Sequence, residues 1–286
     1  MNLTVADFRE LIRAESASLL AQLDRLTENQ WATASPCTAW DVLGVLVHMQ
    51  LGTWVHTGMV ANALAGRTEP PWTLPEGADA HETFVRVQRE THAEGPAANL
   101  ARFRERLARY DETLADASDD ALDRPAWFYG LPADLRRVVS AYVNDLIVHA
   151  TDIRRPLGLE PWFSPAGARF AGQATLPYLP MFVAADRLAG ASGIVRQMID
   201  GVTSIVALGP AGLEVASENT VSDGGSQAAG ESASATPNAE LVADGGTWTL
   251  LVWRQLPPAD AERRGRLRIS GDRALVERYL TAIKTP

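Results

Sequence analysis

The chain has 286 residues, 46% hydrophobic and 21% charged, so it can close a sizeable core and disorder is not the default. A net charge of −9 argues against a nucleic-acid partner, which would need a broad positive surface. Its single cysteine, Cys37, excludes an internal disulfide framework and any multi-cysteine metal site. The length suits one large domain or two modest ones. The N-terminal residues lack the positive start of an export signal, and no window approaches about 20 uninterrupted apolar residues. No membrane partner is therefore expected, and the expected compartment is a reducing cytoplasm.

Helical patterning opens the chain. From Thr4 to about Leu26, Phe8, Leu11, Ile12, Leu19, Leu20 and Leu23 form one apolar stripe, and Thr4 with Asp7 has the spacing of a capping box. A polar loop follows over residues 31–37. A second helix is expected from near Thr38 to about Gly66, with Asp41 at its third position and an inner stripe of Trp40, Val45, His48, Met49 and Gly52. Residues 67–77 are Pro-rich and read as a loop. Helix resumes near Asp79, pauses at Gly95-Pro96 and continues to Asp116. Pro125 and Trp127 mark another loop. A further helix is expected from Pro132-Ala133-Asp134 to Leu157, ended by Gly158. Four long helices in this order suggest a bundle.

The pattern changes in the last third. A helix over residues 164–187 carries Pro177 and Pro180 and should be kinked or broken. Residues 203–208 and 213–215 read as a hairpin, 240–243 and 267–270 as strands. Residues 246–256 read as a short buried helix and 272–283 as a final amphipathic one. Residues 217–238 are Ser/Ala/Gly-rich and read as a flexible insertion. The expected fold is mostly α. A helical bundle over residues 1–160 and a connecting helix over 161–190 precede a small α/β domain over 191–286.

Two of the five histidines lie in apolar helical contexts. Asp145 and His149 are four apart and leave one helix face a turn apart, so the pair can bite one metal ion. A third ligand such as His48 would complete a two-His, one-carboxylate site with positions left open for water or substrate. A packed core histidine is the commoner meaning of such a residue, and spacing alone does not separate the two. His56 is an alternative ligand on the helix of His48, but roughly 12 Å along the axis.

The segment from Trp31 through Ser35-Pro-Cys-Thr-Ala-Trp40-Asp-Val to His48, together with Asp145-Leu-Ile-Val-His149-Ala-Thr-Asp152 and the closing Leu157-Gly158, resembles the mycothiol-dependent maleylpyruvate isomerase-like family. That family lies within the DinB-like superfamily of metal-binding four-helix bundles. The resemblance covers about residues 5–160 and implies a DinB-like bundle with a smaller C-terminal α/β domain. It implies metal ligands at His48, Asp145 and His149, where relatives often carry Glu in place of this Asp. It implies a divalent metal, zinc by expectation, and mycothiol as the thiol cosubstrate. Arg89 stands where relatives can carry a basic residue near the pocket and is the candidate catalytic residue. Asp152 is expected to cap a helix end rather than orient His149, and Trp31 and Trp40 to pin the loop before the ligand helix. Cys37 is expected to be a packed thiol, and Arg154 and Arg155 to answer the helix dipole.

The implied activity is S-transfer to, or cis–trans isomerisation of, a small electrophilic substrate, by a monomer or homodimer. The alternatives are a metal-dependent hydrolase, a biosynthetic thiol-exchange or cyclisation enzyme on the same scaffold, or a non-catalytic metal-binding module. Arg102, Arg104, Arg106 and Arg109 form a basic run interrupted by acidic residues, as on a solvated helix face.

Overall fold

The first amphipathic stripe folds as helix α1 (Val5–Leu23), and both halves of its capping box form: Thr4 accepts the Asp7 N–H, and Asp7 accepts the Thr4 N–H. The computed structural model describes residues 3–37, 39–74, 77, 79–160, 162–176, 179–188, 190–209, 212–217 and 236–283. They form two compact units, Met1–Ser164 and Pro165–Pro286. Among them no helix is long and apolar enough to cross a membrane.

In the first unit a single helical turn, α2 (Glu28–Trp31), precedes the long helix α3 (Val42–Leu64). Asp41 is the N-cap of α3 rather than its third residue: its carboxylate accepts the Gly44 N–H at 2.7 Å. Thr38, where the helix was expected to begin, lies outside the described residues. Helices α4 (Ala80–His92) and α5 (Pro96–Ala115) divide at Gly95, whose φ of +85° suits glycine, and Pro96 takes the first helical position.

The loop expected around Pro125 and Trp127 is instead an antiparallel hairpin of β1 (Pro125–Phe128) and β2 (Leu131–Asp134). Tyr129 and Gly130 turn it with φ of +50° and +80°, the two positive values of a type I′ turn. Pro132 therefore sits in a strand. Helix α6 (Leu135–Arg154) starts later than expected, capped by Asp134, which accepts the Arg137 N–H at 2.7 Å.

Helices α1, α3, α5 and α6 close a ring in which α1 and α3 each pack on both α5 and α6, with α4 against α3 and α5. Leu19, Leu46, Phe103, Tyr110, Val139 and Tyr142 fill its centre. Arg9 and Arg13 of α1 both grip Asp111 of α5, at 3.0 and 2.7 Å. Arg154 does not merely answer the dipole of α6. It is buried and reaches α1, donating to Gln22 Oε1 at 2.7 Å and Ser18 Oγ at 3.1 Å, and onward to the Trp162 carbonyl at 3.0 Å. Its guanidinium lies 3.9 Å from buried Glu15, which also accepts from the Ser164 hydroxyl.

The second unit is a five-stranded sheet in the order β5-β4-β3-β6-β7. Its strands are β3 (Gly193–Ile199), β4 (Val202–Gly209), β5 (Gly212–Ser217), β6 (Ala239–Ala243) and β7 (Leu267–Gly271). Only the β3–β6 pair is parallel. The expected helix over 164–187 is broken into α7 (Pro165–Ala174), α8 (Leu179–Phe182) and a short 3-10 turn (Ala185–Leu188). The unit that begins at Pro165 includes these pieces. Most of the expected insertion, residues 218–235, lies outside the described residues. Helices α9 (Gly245–Val252), α10 (Pro258–Arg263) and α11 (Arg273–Ala282) complete the unit.

Helix α9 is buried throughout and meets α7 backbone to backbone. A Cβ on Gly245 would lie 2.3 Å from the Ala168 carbonyl oxygen, and one on Gly172 would lie 2.5 Å from Gly245 Cα. Gly245→Ala should therefore destabilise this unit by about 1–3 kcal/mol, because overpacking forces the helices apart. Gly209→Ala, in open space, should change little by comparison. Denaturant unfolding of the two variants measures the difference.

The hydrogen bond from Arg9, followed by that from Arg13, holds the Asp111 carboxyl below its usual range against the opposing effect of burial. A depressed carboxyl contributes stability above its unfolded value of 3.8, lost as pH falls through the folded value. Asp111→Asn should cost about 1 kcal/mol at pH 7. The gap to the parent protein should close as acid unfolding curves are taken below that range.

Candidate metal centre

Helix α3 supplies His48 and helix α6 supplies Asp145 and His149. The i, i+4 spacing on α6 puts Asp145 Oδ1 3.4 Å from His149 Nε2, and the packing of α3 on α6 brings His48 Nε2 to 3.9 Å from that same oxygen. The three ligand atoms all lie within 4.8 Å of one another. Gly52, one turn beyond His48, also faces Asp145: a Cβ there would sit 3.4 Å from Oδ2. The structure thus brings together the three residues separated by about a hundred positions in the chain.

The two imidazoles are held differently. His149 Nδ1 donates to Asp152 Oδ2 at 2.9 Å, which directs Nε2 at Asp145. Asp152 is buried in the last turn of α6 and orients this histidine; it is not a helix cap. His48 has no such partner among the described residues: its Nδ1 is buried without a hydrogen bond. Its ring is fixed by stacking on Trp40 at 4.7 Å and 28°, and by the edge of Phe84 at 6.0 Å. Trp40 also lies 6.4 Å from His149, so it packs on both imidazoles as well as closing the preceding loop.

That loop is stitched tightly. Ser35 N–H and Oγ both donate to the Trp40 carbonyl, and Val42 N–H donates to Thr33 O. The loop sets the Cys37 thiol 3.3 Å from Asp152 Oδ2, the oxygen that receives His149 Nδ1–H. Burial pushes the thiol pKa up, and the pull of His149 in the other direction does not overcome it. Cys37 is consequently a protonated donor to Asp152 at neutral pH. Behind the loop, His92 Nε2 lies 3.0 Å from the Asp41 carboxylate, and Gln88 donates to the Gly44 carbonyl at 2.8 Å, fixing α4 on the start of α3.

Burial opposes the charge on Asp145, but His149 and His48 outweigh it and hold the carboxyl well below its usual range. Burial likewise opposes charge on His149, yet Asp145 and Asp152 raise its pKa well above the ordinary histidine value. The group is therefore a strongly coupled cluster of two bases and one acid. Its donor set fits a divalent ion: two imidazole nitrogens and one hard oxygen suit zinc or ferrous iron. An ion with bonds of about 2.0–2.2 Å sets tetrahedral ligand atoms about 3.4 Å apart; Asp145 Oδ1 stands 3.4 Å from His149 Nε2 and 3.9 Å from His48 Nε2. The side chains of His48, Asp145 and His149 are 23%, 30% and 15% exposed, so the cluster opens to solvent on one side. An opening of this kind distinguishes a reactive site from a closed structural one.

Two other expected residues lie apart. Arg89 is exposed on α4, with no hydrogen bond or ion pair to the cluster. His56 is buried one segment along α3, its Nδ1 2.9 Å from the Gly52 carbonyl, and does not join the three ligands. Asp152 carried a usable sequence signal, the i, i+3 spacing from His149. Phe84 carried none, because its helix adjoins the Pro-rich loop.

Residues 12–154 match the family described as Mycothiol maleylpyruvate isomerase N-terminal domain. No curated protein matches the sequence. Among solved structures, a mycothiol-dependent maleylpyruvate isomerase shares 12% identity with a TM-score of 0.59, over 87% of this chain and 88% of that one. A histidine-to-alanine mutant of a mycothiol-dependent maleylpyruvate isomerase gives 11% identity and the same score and coverage. At such identity the likeness shows the fold. With the family match over half of its length, the chain belongs to the mycothiol-dependent maleylpyruvate isomerase family.

Proposed function

We propose that the protein is a metal-dependent enzyme that uses a low-molecular-weight thiol, mycothiol, to act on a small electrophile. The observation that carries this reading is the partly open His48–Asp145–His149 cluster, with His149 locked by Asp152, in a chain of this family. Family membership supports mycothiol as the thiol and a cytoplasmic setting. The donor chemistry supports zinc as the metal, held by His48, Asp145 and His149.

A divalent ion held there supplies positive charge that lowers the pKa of a thiol drawn to it. The protein's own groups set the conditions. Asp152 would keep a proton on His149 Nδ1, so that the proton given up to a metal is the one on Nε2. Asp145 balances part of the ion's charge. Trp40 and Phe84 shield the flanks of His48 and limit water there. The open side admits the thiol and then the electrophile. Thiolate addition to an alkene carbon frees rotation about the former double bond, and expulsion of the thiolate restores it in the other geometry. Displacement of a leaving group instead gives S-transfer. A lone cysteine that remains a thiol fits a reaction whose sulfur comes from a soluble cosubstrate.

Purified protein should retain about one zinc per chain by elemental analysis, and His48→Ala should lose it. Asp152→Asn should keep the fold by circular dichroism yet bind zinc about 10–100-fold more weakly in chelator competition. Undiminished zinc in His48→Ala would remove that ligand from the set. In assays over a panel of small electrophiles, maleylpyruvate included, turnover should require mycothiol and fall at least about 100-fold in His149→Ala. Turnover equally fast without thiol would mark a hydrolase and overturn the thiol-dependent reading.

A further inference from the structure

Helix α5 carries four arginines that divide into two kinds. Arg102 pairs with Glu94 at 2.6 Å, and Arg104 pairs with Asp24. Arg106 and Arg109 have no carboxylate within ion-pair distance among the described residues. The two sit one turn apart on the same helix. Arg106 is half-buried, and its one hydrogen bond goes from Nη1 to the Gln50 carbonyl at 2.9 Å. Burial, and then the nearby charge of Arg102, pull its pKa down to about 10. Partial burial of an unpaired charge costs free energy that an anion would offset.

Both arginines line a cavity of about 210 Å³ beside α3. Its opposite wall is apolar and aromatic: Trp54, Pro71 and Trp72. Trp54 is half exposed, unusual for so large an apolar side chain. The wall is built, not draped. A Cβ on Gly58 would lie 2.5 Å from Pro71 Cβ, so the loop seats directly on the helix, and Trp72 is braced edge-on by Trp127 at 5.1 Å. The volume equals about seven waters, enough for one small ring and a charged group. None of these residues belongs to the metal cluster.

We propose that this cavity binds a small aromatic carboxylate, its ring against Trp54 and Trp72 and its carboxylate between Arg106 and Arg109. The site is separate from the metal centre and stands whether or not the thiol-dependent reading does. Benzoate is the probe, and benzamide is its neutral shape match. Benzoate should quench tryptophan fluorescence saturably, and benzamide should bind at least about tenfold more weakly. Arg109→Gln, an exposed position that leaves the fold intact, should weaken benzoate about tenfold or more, as should Arg106→Gln. Arg102→Gln, whose parent residue is already paired, should bind benzoate like the parent protein, and Trp54→Phe should reduce the amplitude of the fluorescence response, Trp72 reporting the remainder. Equal affinity for benzoate and benzamide, no saturation by about 10 mM, or undiminished binding in Arg109→Gln would each overturn the assignment.

Discussion

Helix α3 is enclosed by α5, α6 and α4, and fifteen of its residues are buried. Along most of its length such a helix has little solvated surface on which to place polar groups cheaply, so its buried polar side chains need partners inside the bundle. Gln50 reaches Asn99, Thr53 reaches Tyr142, and His56 reaches the Gly52 carbonyl. His48 is different: partly exposed at the edge of this enclosure, it faces Asp145 of α6. The packing that gives the unit its core is the same packing that delivers the third member of the cluster.

The cluster depends on two kinds of support. Hydrogen bonding fixes His149 through Asp152, and stacking fixes His48 through Trp40. A hydrogen bond selects one ring nitrogen; a stack restrains only the plane. His149 is accordingly the more strictly prepared of the two, and the loop over residues 31–41 serves both by carrying Trp40 and by placing Cys37 against Asp152.

Much of this was legible from the residues alone. The capping box at Thr4, the break at Gly95-Pro96 and the buried character of α3 follow from local chemistry and periodicity. The pairing of Asp145 with His149 follows from helix geometry. Other features were hidden for physical reasons. The β1–β2 hairpin turns on Tyr129-Gly130 rather than an Asn-Gly or Asp-Gly pair, and a proline in each strand reads as a loop. The central strand β3 buries Val195, Gln197 and Ile199, and a glutamine whose Oε1 accepts from the Tyr279 hydroxyl interrupts the apolar alternation. The role of Asp152 lay in a tertiary choice: its spacing suited His149, but only the packed structure shows that it points inward.

Arg154 acts as a key cut for a single lock. Its guanidinium meets Ser18 and Gln22 one turn apart on α1, with Glu15 a turn earlier. Sliding α6 by one turn, or rotating it by a third of one, would leave a buried cation and a buried carboxylate each facing hydrocarbon. An apolar pair of the same volume could hold the two helices together as firmly, but it would tolerate such slips. Because Asp145, His149 and Asp152 ride on that same helix, the register set at its C-terminal turn also sets the direction in which those three side chains point.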